Sequence, residues 1–162
     1  MDRELNSDEY KAIRDQYPGL EMILAEDVPP PGWSDLLLCA APLGSEAEEA
    51  DYFNNETNEQ KSAQLEKIRK FNQYIYENYE TFLLKLNKGE LYIKKISKNE
   101  GKNAPFTYRG IGFERFYFII IPEIDCLYRE SWDYRHFVFF RYRDKLRDFL
   151  NFAARCGLRK VE

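Results

Sequence analysis

The chain contains a single histidine, His136, so any mechanism that needs an imidazole must use this residue. Cys126 lies ten residues before it, and a thiolate activated by an imidazole is a common nucleophile in covalent catalysis. Together with Asp133, these residues define one alternative for the protein: an enzyme whose site is assembled only in space. The spacing of glycines, cysteines and acids matches no phosphate loop and no metal motif, so we expect no cofactor and no bound metal.

Cys126 and His136 fall on the arms of a predicted hairpin, Ile124 to Glu130 and Arg135 to Tyr142. If the numbers of cross-strand partners sum to about 264, His136 faces Tyr128 and lies diagonal to Cys126, about 7 to 8 Å away. That separation is too large for direct proton transfer. We therefore interpret Cys126 as a small buried residue and His136 as a satisfied sheet position, and we expect a protein that is not an enzyme.

Arginines surround the aromatic stretch Phe137 to Tyr142, and an exposed surface of this kind can stack bases and neutralise phosphates. Both faces of the predicted strand are apolar, however, so at least one face is core. The chain is also acidic, with a net charge of −4, and it lacks the glycine and aromatic signature of RNA-binding strands. A nucleic-acid or phosphate site thus stays an alternative, and its residues would be Arg129, Arg135, Arg141 and Arg143.

The net charge hides a division along the chain. Residues 1–60 hold 15 acids and three bases, whereas residues 61–162 hold 13 acids and 21 bases. One interpretation is that the acidic segment folds over the basic one and neutralises it. The other is that an acidic surface stays exposed and attracts a basic protein, because clustered charges of one sign speed association and favour complementary surfaces.

We therefore predict a non-catalytic protein-binding module, of the immunity or antitoxin type, that binds and occludes a basic partner such as a nuclease toxin. Aromatic residues next to charged rims are typical of binding hot spots. The predicted contact residues combine an acidic group with neighbouring aromatic anchors: Glu46, Glu48, Glu49 and Asp51 with Trp33, Tyr52 and Phe53.

The elements that position these residues follow from capping and periodicity. Asn6 or Ser7 begins a helix that ends near Tyr17, and Leu20 to Ala25 forms a second. Ser45 with Glu48, and Thr57 with Gln60, are capping boxes that predict a short acidic helix ending at Asn54 and Asn55 and then a long helix over 61–87. A break near Thr81, with Phe82 to Leu86 as a strand, is the alternative. Residues 33–43 form a predicted strand, with a helical turn as the alternative, since periodicity does not decide over so short a run. Residues 90–142 form a predicted antiparallel sheet and residues 143–157 a C-terminal helix.

The expected fold is a single α+β domain over residues 1–162, with an antiparallel sheet of about four to five strands. The N-terminal helices and the C-terminal helix are expected to pack on one face of this sheet. No apolar run approaches the roughly 20 residues that cross a bilayer, so no membrane partner is expected. Without a cationic, apolar leader, and with three widely spaced cysteines, the sequence predicts a cytoplasmic protein with reduced thiols.

Overall fold

This computed structural model describes residues 2–26, 28–41, 46–96, 117–130 and 134–161, and of residues 2, 3, 46–49, 86, 87 and 117 only the backbone. Within these ranges the chain forms five α-helices and eight β-strands. The helices are α1 (Ser7–Gln16), α2 (Leu20–Glu26), α3 (Glu46–Asn55), α4 (Asn58–Asn78) and α5 (Arg147–Arg155). The strands are β1 (Asp2–Glu4), β2 (Ser34–Cys39), β3 (Thr81–Asn87), β4 (Glu90–Ile96), β5 (Tyr117–Ile121), β6 (Cys126–Glu130), β7 (Arg135–Phe140) and β8 (Arg159–Val161).

The described strands form one sheet in the order β1-β4-β3-β5-β6-β7-β2-β8, and each described pairing is antiparallel. The mixed α and β composition and the antiparallel sheet confirm the predicted class. Strands β5, β6 and β7 lie at the centre, where nearly all of their described side chains are buried. The outer strands β1 and β8 are three residues long, and each pairs with only the last three residues of its neighbour, β4 or β2.

Helices cover both faces of the sheet. Helices α1 and α2 pack Ile13 and Leu24 on one face, which we call the α1 face. Helices α4 and α5 pack Phe71 and Phe149 on the other, which we call the α4 face. The prediction that all helices lie on one face is therefore wrong. Its physical reason is that β5 and β7 are apolar at successive positions, so each strand presents apolar side chains to both faces and both faces need a cover.

The predicted strand count of four to five is also wrong, because the described residues form eight strands in one sheet. The strand predicted over 33–43 is confirmed as β2, and it joins the sheet beside β7. Strands β1 and β8 have only three residues each, which is too short for an alternating pattern to be visible in a sequence. The predicted sheet over 90–142 thus contains β4, β5, β6 and β7 but lacks β3, which lies between β4 and β5.

The predicted helix over 61–87 is wrong in its last third, and the alternative break near Thr81 is confirmed. Helix α4 ends at Asn78, and Tyr79 already has an extended backbone with φ −130° and ψ 145°. In β3, Leu84 is buried on the α1 face while Leu83 packs on the α4 face. A strand that is apolar on both faces also supplies apolar residues three and four apart, so it imitates the continuation of a helix.

Local capping signals are confirmed where the structure describes them. The Asn6 side chain accepts a hydrogen bond from the Glu9 amide at 2.9 Å, and the Glu9 carboxylate accepts one from the Asn6 amide at 3.1 Å. Thr57 and Gln60 form the same reciprocal pair at the start of α4. The predicted box of Ser45 with Glu48 lies outside the described residues, although the helix that it predicts is present and ends at Asn55.

The C-terminal helix predicted over 143–157 begins later than expected. Residues Arg143–Leu146 form a 3-10 turn, and α5 follows over Arg147–Arg155. Such 3-10 turns are frequent at the N-termini of α-helices, and Tyr142 provides no side-chain cap for this one. The predicted stop is confirmed, because Gly157 has a φ of +93° just after the helix.

Candidate functional site

The structure keeps the two described residues of the catalytic alternative apart. In the β6–β7 hairpin, Cys126 pairs with Phe140 and His136 pairs with Glu130, so partner numbers sum to 266. The prediction that His136 faces Tyr128 is therefore wrong by two residues, because the connection between the last paired residues is longer than the predicted turn and shifts the register. His136 lies four residues from the partner of Cys126, about 13 Å along the strand. Asp133 lies outside the described residues.

The structure confirms that both residues are buried in the sheet, but the prediction that His136 is a satisfied position is wrong within the described residues. The His136 ring is completely buried, and its Nδ1 atom shares a hydrogen bond with the Tyr128 hydroxyl. Its Nε2 atom has no hydrogen-bond partner among the described residues. Burial lowers the pKa of His136 to about 3 and raises the pKa of the Cys126 thiol. At neutral pH both groups are uncharged, so this pair offers no activated nucleophile.

Helix α3 is held on the α4 face by the aromatic residues that the sequence suggested as partner anchors. Tyr52 accepts a hydrogen bond from Gln64 of α4 at 3.1 Å. Phe53 stacks on Tyr134, with ring centroids 5.9 Å apart and planes 18° apart. The Tyr134 hydroxyl in turn donates to the Glu56 carboxylate just after the helix. Tyr52 and Phe53 are half-buried, so their described contacts fix the position of α3.

The acidic residues of α3 occupy the same short helix. Asp51 is exposed, and its carboxylate accepts a weak hydrogen bond from Asn55 within the helix. The backbone of Glu46, Glu48 and Glu49 lies in the helix, and their side chains lie outside the described residues. Residues 15–60 contain no lysine or arginine but eleven acids, so α3 has no base within its own segment of the chain.

Trp33 does not join the other predicted anchors. It packs on the α1 face, edge-on to Tyr17 with centroids 5.8 Å apart, whereas Tyr52 and Phe53 pack on the α4 face. The predicted contact set is therefore divided between two faces of the sheet. The division arises because β2 lies between Trp33 and α3 in the chain, and the chain changes face after this strand.

Trp33 instead belongs to a group at the end of β7. The Arg141 guanidinium carbon lies 5.1 Å from the Trp33 ring centre and 6.0 Å from that of Tyr142. The Lys145 ammonium lies 5.0 Å from the centre of the Tyr142 ring, on which it makes a second cation–π contact. Tyr142 is 50% exposed, unusually much for a large aromatic side chain.

Asp125, in the turn between β5 and β6, contacts two members of this group. Its carboxylate pairs with the Lys145 ammonium at 2.9 Å, and its carbonyl accepts the Arg141 amide at 3.2 Å. Burial raises the pKa of the Tyr17 hydroxyl, and the charge and hydrogen bond of Asp125 raise it further. We call this closed set of contacts the Tyr142 cluster. Its members are Tyr17, Trp33, Asp125, Arg141, Tyr142 and Lys145.

The four arginines of the nucleic-acid alternative do not form one surface. Arg141 and Arg143 are exposed after the end of β7. Arg135 begins the same strand, about 20 Å away along an extended backbone. Arg129 is half-buried on the α1 face, with its guanidinium carbon 5.8 Å and 5.5 Å from the ring centres of Phe118 and Phe137. The structure thus brings together only Arg141 and Arg143.

Sequence reasoning missed the Tyr142 cluster because its members come from four distant segments. The run Arg141 to Arg143 was visible as an aromatic and basic stretch, yet nothing local connects it with Trp33 or Tyr17. One signal was available at Asp125, which follows a proline turn. It has a φ of +45°, in the left-handed region that aspartate tolerates better than most residues.

Comparisons with protein-family models, with curated proteins and with solved structures each find no match, so no function transfers to this chain by similarity. Within the described residues, no three His, Cys, Asp or Glu side chains are grouped as metal ligands. No described helix combines the length and the apolar character that crossing a membrane requires. None of the three cysteines, all within the described ranges, forms a disulfide. The cytoplasmic location stays a prediction.

Proposed function

We propose that this chain is a non-catalytic protein-binding module of the immunity or antitoxin type, which binds and occludes a basic protein with the acidic helix α3. The observation that carries the proposal is that side-chain contacts hold α3 in position on the α4 face. Its aromatic residues are engaged with Gln64 and Tyr134, while Asp51 is exposed on the same helix. A helix that is fixed before binding loses less conformational freedom when a partner docks.

Four ion pairs between described residues support this proposal. Each of them joins residues of the same half of the chain: Arg14 with Glu21, Arg69 with Glu66, Lys95 with Glu80, and Lys145 with Asp125. Asp51 and Glu59 are exposed, and within the described residues neither forms an ion pair with a base. A surface with exposed acids attracts a cationic partner and makes the association rate depend on salt.

The test uses reversal of charge on α3. The tagged chain is co-expressed with the products of the neighbouring reading frames, and the protein that copurifies is identified by mass spectrometry. We expect a basic protein whose recovery falls when the salt concentration rises from about 50 to 300 mM, because screening weakens contacts between exposed charges. In the double variant Glu48→Lys and Asp51→Lys, recovery should fall at least tenfold.

A matched control distinguishes an effect of the α3 acids from an effect of the change in net charge. The double variant Asp15→Lys and Glu26→Lys makes the same change in charge at exposed sites on α1 and α2, which cover the opposite face. The control should bind the partner within about twofold of the wild type, since distant exposed charges are largely screened. Equal losses in the two variants, or no loss in the α3 variant, would show that α3 is not the contact surface.

A further inference from the structure

We propose that the Tyr142 cluster is a second binding surface, which takes an acidic segment of a protein through its carboxylates. The cluster lies at the C-terminal end of β7, whereas α3 lies near the N-terminal end of the same strand. Tyr134, which contacts α3, precedes Arg141 by seven residues, or about 23 Å of extended strand. This surface is therefore separate from the acidic helix, and the proposal does not depend on the function proposed for α3.

The charge at this end favours an anionic ligand. Residues 141–147 contain four bases and one acid, and residues 141–145 and 147 are all exposed. Asp125 engages Lys145, but within the described residues Arg141 and Arg143 form no ion pair with a carboxylate. A guanidinium group presents donors in a fork that matches the two oxygens of a carboxylate. Arg141 and Arg143 are thus available for an acid supplied by another chain.

The cluster is held in place before any ligand binds. The Arg141 side chain lies against both the Trp33 and Tyr142 rings, and Tyr142 is in turn covered by the ammonium of Lys145. Asp125 fixes Lys145 by its carboxylate and Arg141 by its carbonyl. Asp125 does this from a left-handed backbone conformation with a φ of +45°, which aspartate tolerates better than most residues.

The composition favours a peptide over a nucleic acid. Arginine, tyrosine and tryptophan are the residues most enriched at the centre of protein interfaces. Binding a nucleic acid usually neutralises a row of phosphates. Here Asp125 and Asp144 interrupt the basic residues, Arg135 lies at the other end of β7, and Arg129 is half-buried on the α1 face. A short ligand with a few carboxylates matches the few cations that the cluster presents.

The experiment uses Trp33 as its reporter. The chain has two tryptophans, so a Trp132→Phe background leaves Trp33 as the only one. The probe is a capped hexapeptide of five glutamates and one central leucine, and a glutamine version of the peptide serves as the uncharged control. We expect a saturable change in Trp33 emission with the acidic peptide and none with the glutamine peptide.

Variants then locate the site. Arg141→Gln and Tyr142→Ala remove exposed side chains, and each should weaken peptide binding about tenfold, as expected for one cation–π or forked contact. Arg155→Gln removes the same charge from an exposed position on α5 and should leave binding within twofold. Equal weakening in all three variants would show that binding depends only on net charge, and it would overturn the proposal.

Two other occupants are distinguished in the same assay. A 12-nucleotide single strand that binds more tightly than the peptide, with the same loss in Arg141→Gln, would identify a nucleic-acid site and overturn the proposal. If sedimentation shows self-association that the peptide does not displace, the ligand is a second copy of the chain and the proposal fails. A peptide that binds the monomer and loses affinity in both cluster variants would establish it.

Discussion

His136 makes the stability of the fold depend on pH. In the folded chain the imidazole is completely buried, and burial lowers its pKa to about 3 because the charged form loses its hydration. In the unfolded chain its pKa returns to the ordinary value of about 6.5. Below pH 6.5 the unfolded state therefore binds a proton that the folded state does not. The free energy of unfolding falls as the pH drops from 6.5 towards 3.

The size of this effect follows from the two pKa values. At pH 5 the solution is about 1.5 pH units below the pKa of the unfolded histidine. Each of these units lowers the free energy of unfolding by about 1.4 kcal/mol. The free energy of unfolding should therefore fall by about 2 kcal/mol. If the free energy of unfolding falls by about 2 kcal/mol for each 1 M of urea, the urea concentration at the midpoint of unfolding should fall by about 1 M.

Urea unfolding followed by circular dichroism at pH 7.5, 6 and 5 measures this shift. The comparison is His136→Gln, which does not titrate and still offers a hydrogen-bond acceptor to the Tyr128 hydroxyl. Tyr128 and Glu130 face the histidine from β6 and are present in both proteins, so the difference between the two isolates the imidazole. We expect the 1 M shift only in the wild type. Equal shifts in both proteins, or none in the wild type, would refute a buried, neutral His136.

Three further outcomes concern the mounting of α3, the Tyr142 cluster and the last helix. Tyr134→Phe removes the hydroxyl that donates to Glu56, so the fold should lose about 1 kcal/mol and the amides of α3 should exchange hydrogen faster. Asp125→Asn removes the charge that holds Lys145. The free energy of unfolding should change by less than about 1 kcal/mol, while the acidic peptide should bind several-fold more weakly in the Trp33 titration. Gly157→Ala forces a side chain into a φ of +93° and should lower the melting temperature, with a cost of at least about 1 kcal/mol.

Features that depend on neighbouring residues in the chain were predictable from the sequence. The helices that begin at Asn6 and Thr57 are specified by capping boxes whose two partners are three residues apart. The stop at Gly157 is equally local, because only a glycine adopts its φ without cost. Strand β2 was predictable from a short apolar run, although its place in the sheet was not.

Features that depend on tertiary packing were not predictable. The apolar residues of β3 continue the spacing of α4. The chain becomes extended at Tyr79 because β3 lies inside the sheet and its apolar residues pack into the cores on both faces. The β6–β7 register depends on the length of a connection that no pattern specifies.

The candidate site was only partly predictable for the same reason. Trp33 and Tyr52 are close in the sequence, and the structure places them on opposite faces of the sheet. Arg141 was visible from the sequence as part of a basic and aromatic run. Its contact with Trp33 depends on the pairing of β2 with β7, which joins residues about one hundred positions apart.

Hydrogen exchange of the complex between this chain and its copurified partner tests the central claim most directly. The account predicts protection of the α3 amides, residues 46–55, when the partner binds. The amides of α1 and α2, on the opposite face, should exchange as they do in the isolated chain. Protection confined to α1 and α2, with no change in α3, would contradict the claim that the acidic helix is the binding surface.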